Sequence, residues 1–270
     1  MAATLDRIAE LEWANYAAML SSAEATPSLE VVLGEEVILT SSTSFPTPDS
    51  NHACLLQPTA EKADDLIDEV TEFYQAKGLP VAIYISPACT PSDLPQRLLE
   101  RGFDSQPGCE SWMVVEGLLE VEIPSPLPGI RVRQISKGEV GAFVEVFLTS
   151  FDLPSGLAPL LAQVMEPTIG LPDVHHYLAL DDGQPVGTCS LLSYKTFGIL
   201  GSAGVLPEHR GHGAATNLIV RAATDARDTG VDTVMLQTAA DTPLERLLRI
   251  SGFRREFTRS CYVLGNGSTG

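Results

Sequence analysis

Apolar residues in this chain fall into two spacings, strand-like alternation and helical recurrence, and the order in which the two follow one another occurs twice. From Leu29 to Leu56 the pattern is β-rich and leads to Pro58. Ala63, Leu66, Ile67, Val70 and Phe73 then recur at helical spacing, which predicts a helix that Gly78 ends. A short strand is expected over Val81 to Ile85, then a helix closing in LPQRLLERGF (Leu94 to Phe103), then a strand at Trp112 to Val115. The second round begins with strands at Tyr177 to Leu180 and Val186 to Leu192. Asp182 and Gly183 between them read as a hairpin turn. A strand is expected from about Ile199 to Leu206. Pro207 precedes a helix with Ala215, Leu218, Ile219, Ala222 and Ala226 on one face, ended by Gly230. A strand follows at Val231 to Gln237, then a helix within PLERLLRISGF (Pro243 to Phe253), then a strand at Ser260 to Leu264.

Between the rounds lies LEVEIPSPLPG (Leu119 to Gly129), where three prolines in five residues impose an extended, hydrogen-bond-poor segment. A linker is placed there, separating a unit over residues 1–126 from one over 130–270. The two Gly-Phe pairs end equivalent helices, which makes the chain two similar α+β units in tandem.

At 270 residues and 44% hydrophobic, the chain has ample material for buried cores. No run approaches the roughly 18 apolar residues that cross a bilayer, and Met1 to Glu12 lacks a basic start with an apolar core, so a soluble, cytoplasmic protein without membrane partners is expected. Cys54, Cys89, Cys109, Cys189 and Cys261 are scattered and form no CxxC pair, which suggests neither a disulfide framework nor a metal site. The net charge of −18 is uneven: residues 1–126 carry 21 acids and 5 bases, residues 127–270 carry 14 and 12. Such a surface repels nucleic acid and is suited to gathering cationic amines, although a solvated acidic face alone would account for it.

The densest chemical signal is Val205-Leu206-Pro207-Glu208-His209-Arg210-Gly211-His212-Gly213-Ala214-Ala215, between an expected strand and an expected helix. Glycines at 211 and 213 remove Cβ atoms where backbone must approach a ligand. The first helical turn leaves N–H groups without partners, and with the helix dipole they make an anion site suited to a diphosphate. Arg210 adds a cation. The string is neither a GxxxxGK[ST] loop nor a GxGxxG fingerprint, so ATP and adenine dinucleotides are poor candidates.

The segment resembles the acetyl-CoA signature R/QxxGxG/A of the GNAT acyltransferase superfamily, with Arg210, Gly213 and Ala215 at its defining positions. Val205-Leu206-Pro207 ahead of it and Gly252-Phe253 after it extend the resemblance over roughly residues 130–265. The chain is similar to bacterial members that carry a degenerate GNAT-like unit ahead of the active one. The fold implied is α+β, two GNAT-like units in tandem, each a mixed, mostly antiparallel sheet flanked by helices. The resemblance further implies that the strand ending at Val205 splays from its neighbour and pairs with the pantetheine arm like an added strand. Val205 and Leu206 would contact acetyl-CoA, the co-substrate, through backbone, and Gly211, His212, Gly213, Ala214, Ala215 and Thr216 would hold its diphosphate. No metal is required.

Aligning Pro58 with Pro207 puts Thr59 to Asp65 where the cradle should be. That stretch has no glycine and carries Glu61, Asp64 and Asp65, which repel a diphosphate, so the first unit is expected not to bind the cofactor in this way. Catalytic residues are harder to name. Many GNAT enzymes hold a tyrosine five residues before the Gly-Phe phenylalanine as proton donor to sulfur, and here that position is Leu248. Ser251 and Tyr262 are weak substitutes. Ser202 is the polar side chain in the strand from Ile199 to Leu206, and His175 and His176 stand before the hairpin. Asp241 suggests an N-cap for the helix at Pro243 or a polar contact with the cofactor. The expected activity is acetyl transfer to an amine by direct attack in a ternary complex. The acceptor, a small molecule or a protein N-terminus, would meet Phe147 to His176. A silent CoA-binding sensor or scaffold, or a longer acyl donor, are the competing readings, and the oligomeric state is not indicated.

Overall fold

The computed structural model describes residues 3–265. In chain order its elements are α1 (Leu5–Ala17), α2 (Leu20–Ala25), β1 (Leu29–Leu33), β2 (Ile38–Ser42), β3 (His52–Cys54), α3 (Ala63–Gln75), β4 (Ala82–Ile85), α4 (Leu94–Glu100), β5 (Phe103–Ser105), β6 (Glu110–Val115), β7 (Ile130–Gln134), α5 (Val140–Ser150), α6 (Ala158–Met165), β8 (Val174–Asp181), β9 (Gln184–Tyr194), β10 (Phe197–Val205), α7 (Ala214–Asp228), β11 (Thr233–Ala239), α8 (Pro243–Ile250) and β12 (Arg254–Leu264). The architecture is α+β, with mixed, mostly antiparallel sheets flanked by helices. None of the described helices is long and apolar enough to cross a membrane.

The chain divides into two compact units: residues up to Met113 together with those from Gln237 onward, and Val114 to Leu236. This division differs from a cut at the proline-rich segment. The reason is strand pairing, which follows open hydrogen-bonding edges and not chain proximity. In the first unit β1, β2 and β3 pair antiparallel in turn, and β3 meets β4 parallel at Ala53 and Ile83. β12 then takes the free edge of β4, antiparallel from Ser260 against Ile85 to Val263 against Ala82, and pairs with β5 on its other side. The amphipathic face read from the sequence holds: Ala63, Leu66, Ile67 and Val70 of α3 are buried with Leu94, Leu98 and Phe103 in one core. Tyr262 belongs to that core as well.

Where the cradle would be in this unit, the start of α3 is occupied by ion pairs. Arg97 donates to Asp64 at 2.9 Å, and Arg101 bridges Asp64 and Asp68. A second, buried set of charges lies elsewhere in the unit. Arg259, 3% exposed, donates to Glu12, Glu110 and the Tyr16 hydroxyl and stacks on the rings of Tyr84 and Trp112. His52 Nδ1 donates to the Pro48 carbonyl at 3.1 Å, so the bare Nε2 of the neutral ring accepts from the Tyr16 hydroxyl at 2.6 Å. Burial and the guanidinium together hold His52 neutral, its pKa pushed down to about 3.

α8 starts at a Thr242 cap whose hydroxyl accepts from the Glu245 amide, so the cap is Thr242 and not Asp241. Asp241 pairs instead with Arg255 at 2.6 Å. Glu245, its side chain 2% exposed, accepts from Arg255 at 2.8 Å, Arg249 at 2.7 Å and Ser111 at 3.2 Å. The Arg255 hydrogen bonds lead in lowering its carboxyl to about 2. A depressed carboxylate contributes stability that is present above its unfolded value, about 4.3, and lost as pH falls through the folded one. Glu245→Gln is therefore expected to lower the melting temperature at pH 7. Its deficit against the wild type should close between about pH 4 and pH 2, and a deficit unchanged across that window would refute the assignment.

The second unit is an antiparallel run β7-β8-β9-β10 completed by β11, parallel to β10. Asp182 and Gly183 both take positive φ, 46° and 85°, the type I′ signature of a two-residue hairpin loop between β8 and β9. α5 and α6 pack on one core with Phe143, Val144, Leu148 and Leu178. The expected face of α7 holds at Leu218, Ala222 and Ala226, and it is completed by Ala214, Asn217 and Val220, whereas Ala215 is exposed and Ile219 half-buried. Asn217 widens that face. Its carboxamide accepts from the Leu127 amide at 2.8 Å and donates to the carbonyls of Leu127 and Ile130 at 2.9 and 2.8 Å, tying the proline-rich segment to the helix.

Candidate functional site

β10 begins paired on both sides and then opens. Its parallel pairing with β11 covers Phe197 to Ile199 and ends there, while β10 runs on to Val205. On its other edge the register against β9 slips between Gly201 and Gly204, and Ser202 adopts φ 49°. This is a β-bulge, which bends the strand away and re-aims its backbone. The Ser202 carbonyl turned out by the bulge accepts from the Thr188 hydroxyl at 2.8 Å. Gly204 is the close-approach point: a Cβ there would lie 2.7 Å from the Cβ of Ser150, at the end of α5. The expected splay is present, and Val205 and Leu206 lie at its open end.

From Val205 the chain passes through a short helical turn at Pro207 to His209 and enters α7 by way of Gly211 and Gly213, with φ of 80° and 92°. An L side chain rarely adopts either value, and a Cβ on Gly213 would stand 2.9 Å from the Leu127 side chain. Gly213 caps α7 without any side-chain acceptor, so the first-turn N–H groups remain open. Gly211, His212, Ala215 and Thr216 are exposed and Gly213 half-buried, while Ala214 is buried and contributes backbone. The start of a 15-residue helix, entered through two glycines, with no side-chain cap and no acidic residue in its first turn, fits a diphosphate. Arg210 differs from expectation. Its Nε donates to the Val205 carbonyl at 3.1 Å and its Nη2 to the Ser150 carbonyl at 2.9 Å, so it braces the end of β10 against α5. His209 pairs with Asp181 at 3.1 Å and steadies the same turn.

The catalytic candidates part company. Ser202 is exposed on the bulge, on the strand that leads into the cradle. Tyr262 is packed in the core of the first unit, 9% exposed. Ser251, exposed after α8, turns its hydroxyl back to the Leu247 carbonyl at 3.2 Å, a helix-end bond and not a ligand-facing one. Leu248 is a buried residue of α8, 4% exposed. His176 is buried, with Thr168 and Ser190 hydroxyls on its two ring nitrogens. The spacing of residues 147–176 gave no sign of that arrangement, since Thr168 and Ser190 come from separate elements. Among the described residues no group of three or more His, Cys, Asp or Glu could hold a metal ion.

Residues 144–253 match the acetyltransferase (GNAT) family. No curated protein matches. Among solved structures, the chain is similar to a GCN5-related N-acetyltransferase from Kribbella flavida (TM-score 0.70, 16% identity, 94% of this chain and 95% of that one). It is also similar to a tandem GNAT protein from the clavulanic acid biosynthesis pathway (TM-score 0.64, 14% identity, 93% and 89% covered). A third likeness is to a GCN5-related N-acetyltransferase from Sphaerobacter thermophilus (TM-score 0.56, 22% identity, 86% and 81% covered). At these identities the likeness speaks for the fold.

Proposed function

We propose that this chain, whose residues 144–253 match the acetyltransferase (GNAT) family, belongs to that superfamily and moves an acetyl group from acetyl-CoA to a primary amine by direct attack in a ternary complex. The observation that carries the reading is the run of β10 past its last β11 partner into a glycine-walled, carboxylate-free helix start. Pantetheine would pair with the β10 edge that β11 leaves after Ile199, toward Val205 and Leu206. Gly211 to Thr216 would hold the diphosphate, and the bound thioester would supply the activated acyl carbon. The loops around α5 and α6, between Phe147 and His176, would supply one wall for the acceptor, a small amine or a protein N-terminus. The unit of residues 1–126 would serve structurally, since Asp64 and its arginine partners fill the position equivalent to the cradle.

Calorimetry with acetyl-CoA is expected to give one site per chain, and thiol release with an amine library is expected to give turnover. Two sites of similar affinity would refute the reading of the Asp64 cluster. Binding without turnover by any amine would favour the second reading, a silent CoA-binding module. The observation that favours that alternative is Leu248, an aliphatic side chain where the GNAT resemblance implies a tyrosine proton donor.

A further inference from the structure

β8, β9 and β10 lie side by side in the second unit, and their register lines up three residues: His176 opposite Ser190, and Ser190 opposite Gly201. Directly opposed residues share a face of the sheet, with Cβ atoms about 5 Å apart. Gly201 starts the bulge at the opened part of β10, and a Cβ built on it meets nothing within 4 Å. That face therefore has room at Gly201, next to Ser190, which is itself only 3% exposed, at the position where β10 has left β11.

The hydrogen bonds assign a direction. The Thr168 hydroxyl donates to the Met165 carbonyl at 2.7 Å, so toward His176 Nε2, 2.9 Å away, it accepts. Nε2 therefore carries the ring proton, and the bare Nδ1 accepts from the Ser190 hydroxyl at 2.7 Å. With its proton directed at Nδ1, the Ser190 oxygen keeps its lone pairs for another donor. We propose that Ser190 receives the proton of the attacking amine and that His176 acts through it as the positioning residue. As the nitrogen bonds to the acyl carbon and the carbon–sulfur bond breaks, the nitrogen's proton passes to Ser190 Oγ and the serine's own proton to His176 Nδ1. The departing sulfur takes a proton from water, and His176 returns one to water. Thr168 holds the imidazolium through its remaining lone pair. The groups packed against the ring are Phe143 of α5, Thr168 and Ser190, none of which is charged at neutral pH, and the adjacent His175 on β8. Burial, with His175 adding to it, lowers the His176 pKa to about 4, so the ring is neutral over the working pH range and holds a proton from Ser190 only in passing before water takes it.

This relay rests on the acetyltransferase reading, and the test separates the two. Hydroxylamine, a small amine that is neutral at pH 7, serves as probe, with acetohydroxamate measured beside acetyl-CoA affinity. Ser190→Ala is expected to lower kcat by about a hundredfold or more with the Kd for acetyl-CoA unchanged, the usual scale of lost proton transfer. Ser190→Thr keeps the hydroxyl and has the space over Gly201 for its methyl, so it should stay within about tenfold of wild type by the same scale. Independently of turnover, nitrogen NMR of the free protein should show His176 as the neutral Nε2–H form from pH 5 to 9, with Nδ1 shifted by Ser190→Ala. Full activity in Ser190→Ala, a proton on Nδ1, or acetyl-CoA binding without acetohydroxamate would each overturn the relay. Absence of acetyl-CoA binding by the wild type would instead refute the acetyltransferase reading.

Discussion

Gly213→Asp is expected to weaken acetyl-CoA binding more than a hundredfold while leaving the chain folded. The glycine caps α7 at φ 92°, and a side chain in that region costs on the order of 1–2 kcal/mol. Part of the cost is offset, since an aspartate at a helix start is a favourable cap that takes up free N–H groups. Its Cβ would press on Leu127 Cδ1 at 2.9 Å, the tip of a half-exposed, movable side chain, so steric damage stays local. The effect on the ligand is larger. A carboxylate about 4 Å from a phosphate costs roughly 1 kcal/mol in water and about 4 kcal/mol at the effective dielectric of a protein surface. It would also occupy the donors that the phosphate needs. Gly213→Ala shares the strain without the charge and should lose less. Calorimetry paired with thermal melts checks both variants, and an aspartate variant that melts cooperatively and binds as the wild type does would remove the cradle assignment.

Arg259→Met is expected to destabilise the first unit by about 3–5 kcal/mol, the scale for breaking a buried ion pair from one side. Methionine fills some of the volume and still packs beside Tyr84 and Trp112, but Glu12, 0% exposed, loses its cation. Burial already raises the Glu12 carboxyl, and without Arg259 the rise is greater, so the variant takes up a proton on folding. Stability tied to a raised pKa is present at low pH and lost as pH rises through the folded value. The gap between variant and wild type should therefore narrow on acidification. Chemical denaturation at pH 7 and pH 5 measures it, and a loss below about 1 kcal/mol, the range of exposed pairs, would contradict the buried network.

The strand-helix order, the I′ hairpin and the glycine cradle were legible because each is a local code. Apolar spacing reports which face is buried, and glycine reports where φ must be positive. What escaped was made by residues far apart in the chain. Ala215 and Asn217 show the limit: helical spacing favours the alanine for the core, yet the asparagine is buried because backbone from Leu127 and Ile130 satisfies its amide. Arg210 has the right identity for the motif, but identity alone did not say that two carbonyls would claim its guanidinium. Residues 3–28, not assigned to any element from sequence, form α1 and α2, and Glu12 and Tyr16 there meet Arg259 more than 240 positions away. Likewise Thr168, His176 and Ser190 follow no spacing rule, since β pairing brings two of them together and a loop supplies the third.

The place of β12 has a consequence for synthesis on the ribosome. A nascent chain emerges at roughly 5–20 residues per second, so Met113 is out well before Arg254, by about seven to thirty seconds. During that interval β4 lacks the neighbour that β12 provides, Tyr262 is absent from the core that receives it, and Arg259 from the buried charges. Glu12 is then a carboxylate without its guanidinium. The residues up to Met113 thus wait for β12, and that stretch carries 18 of the chain's 35 acids, whose mutual repulsion keeps unfinished copies apart.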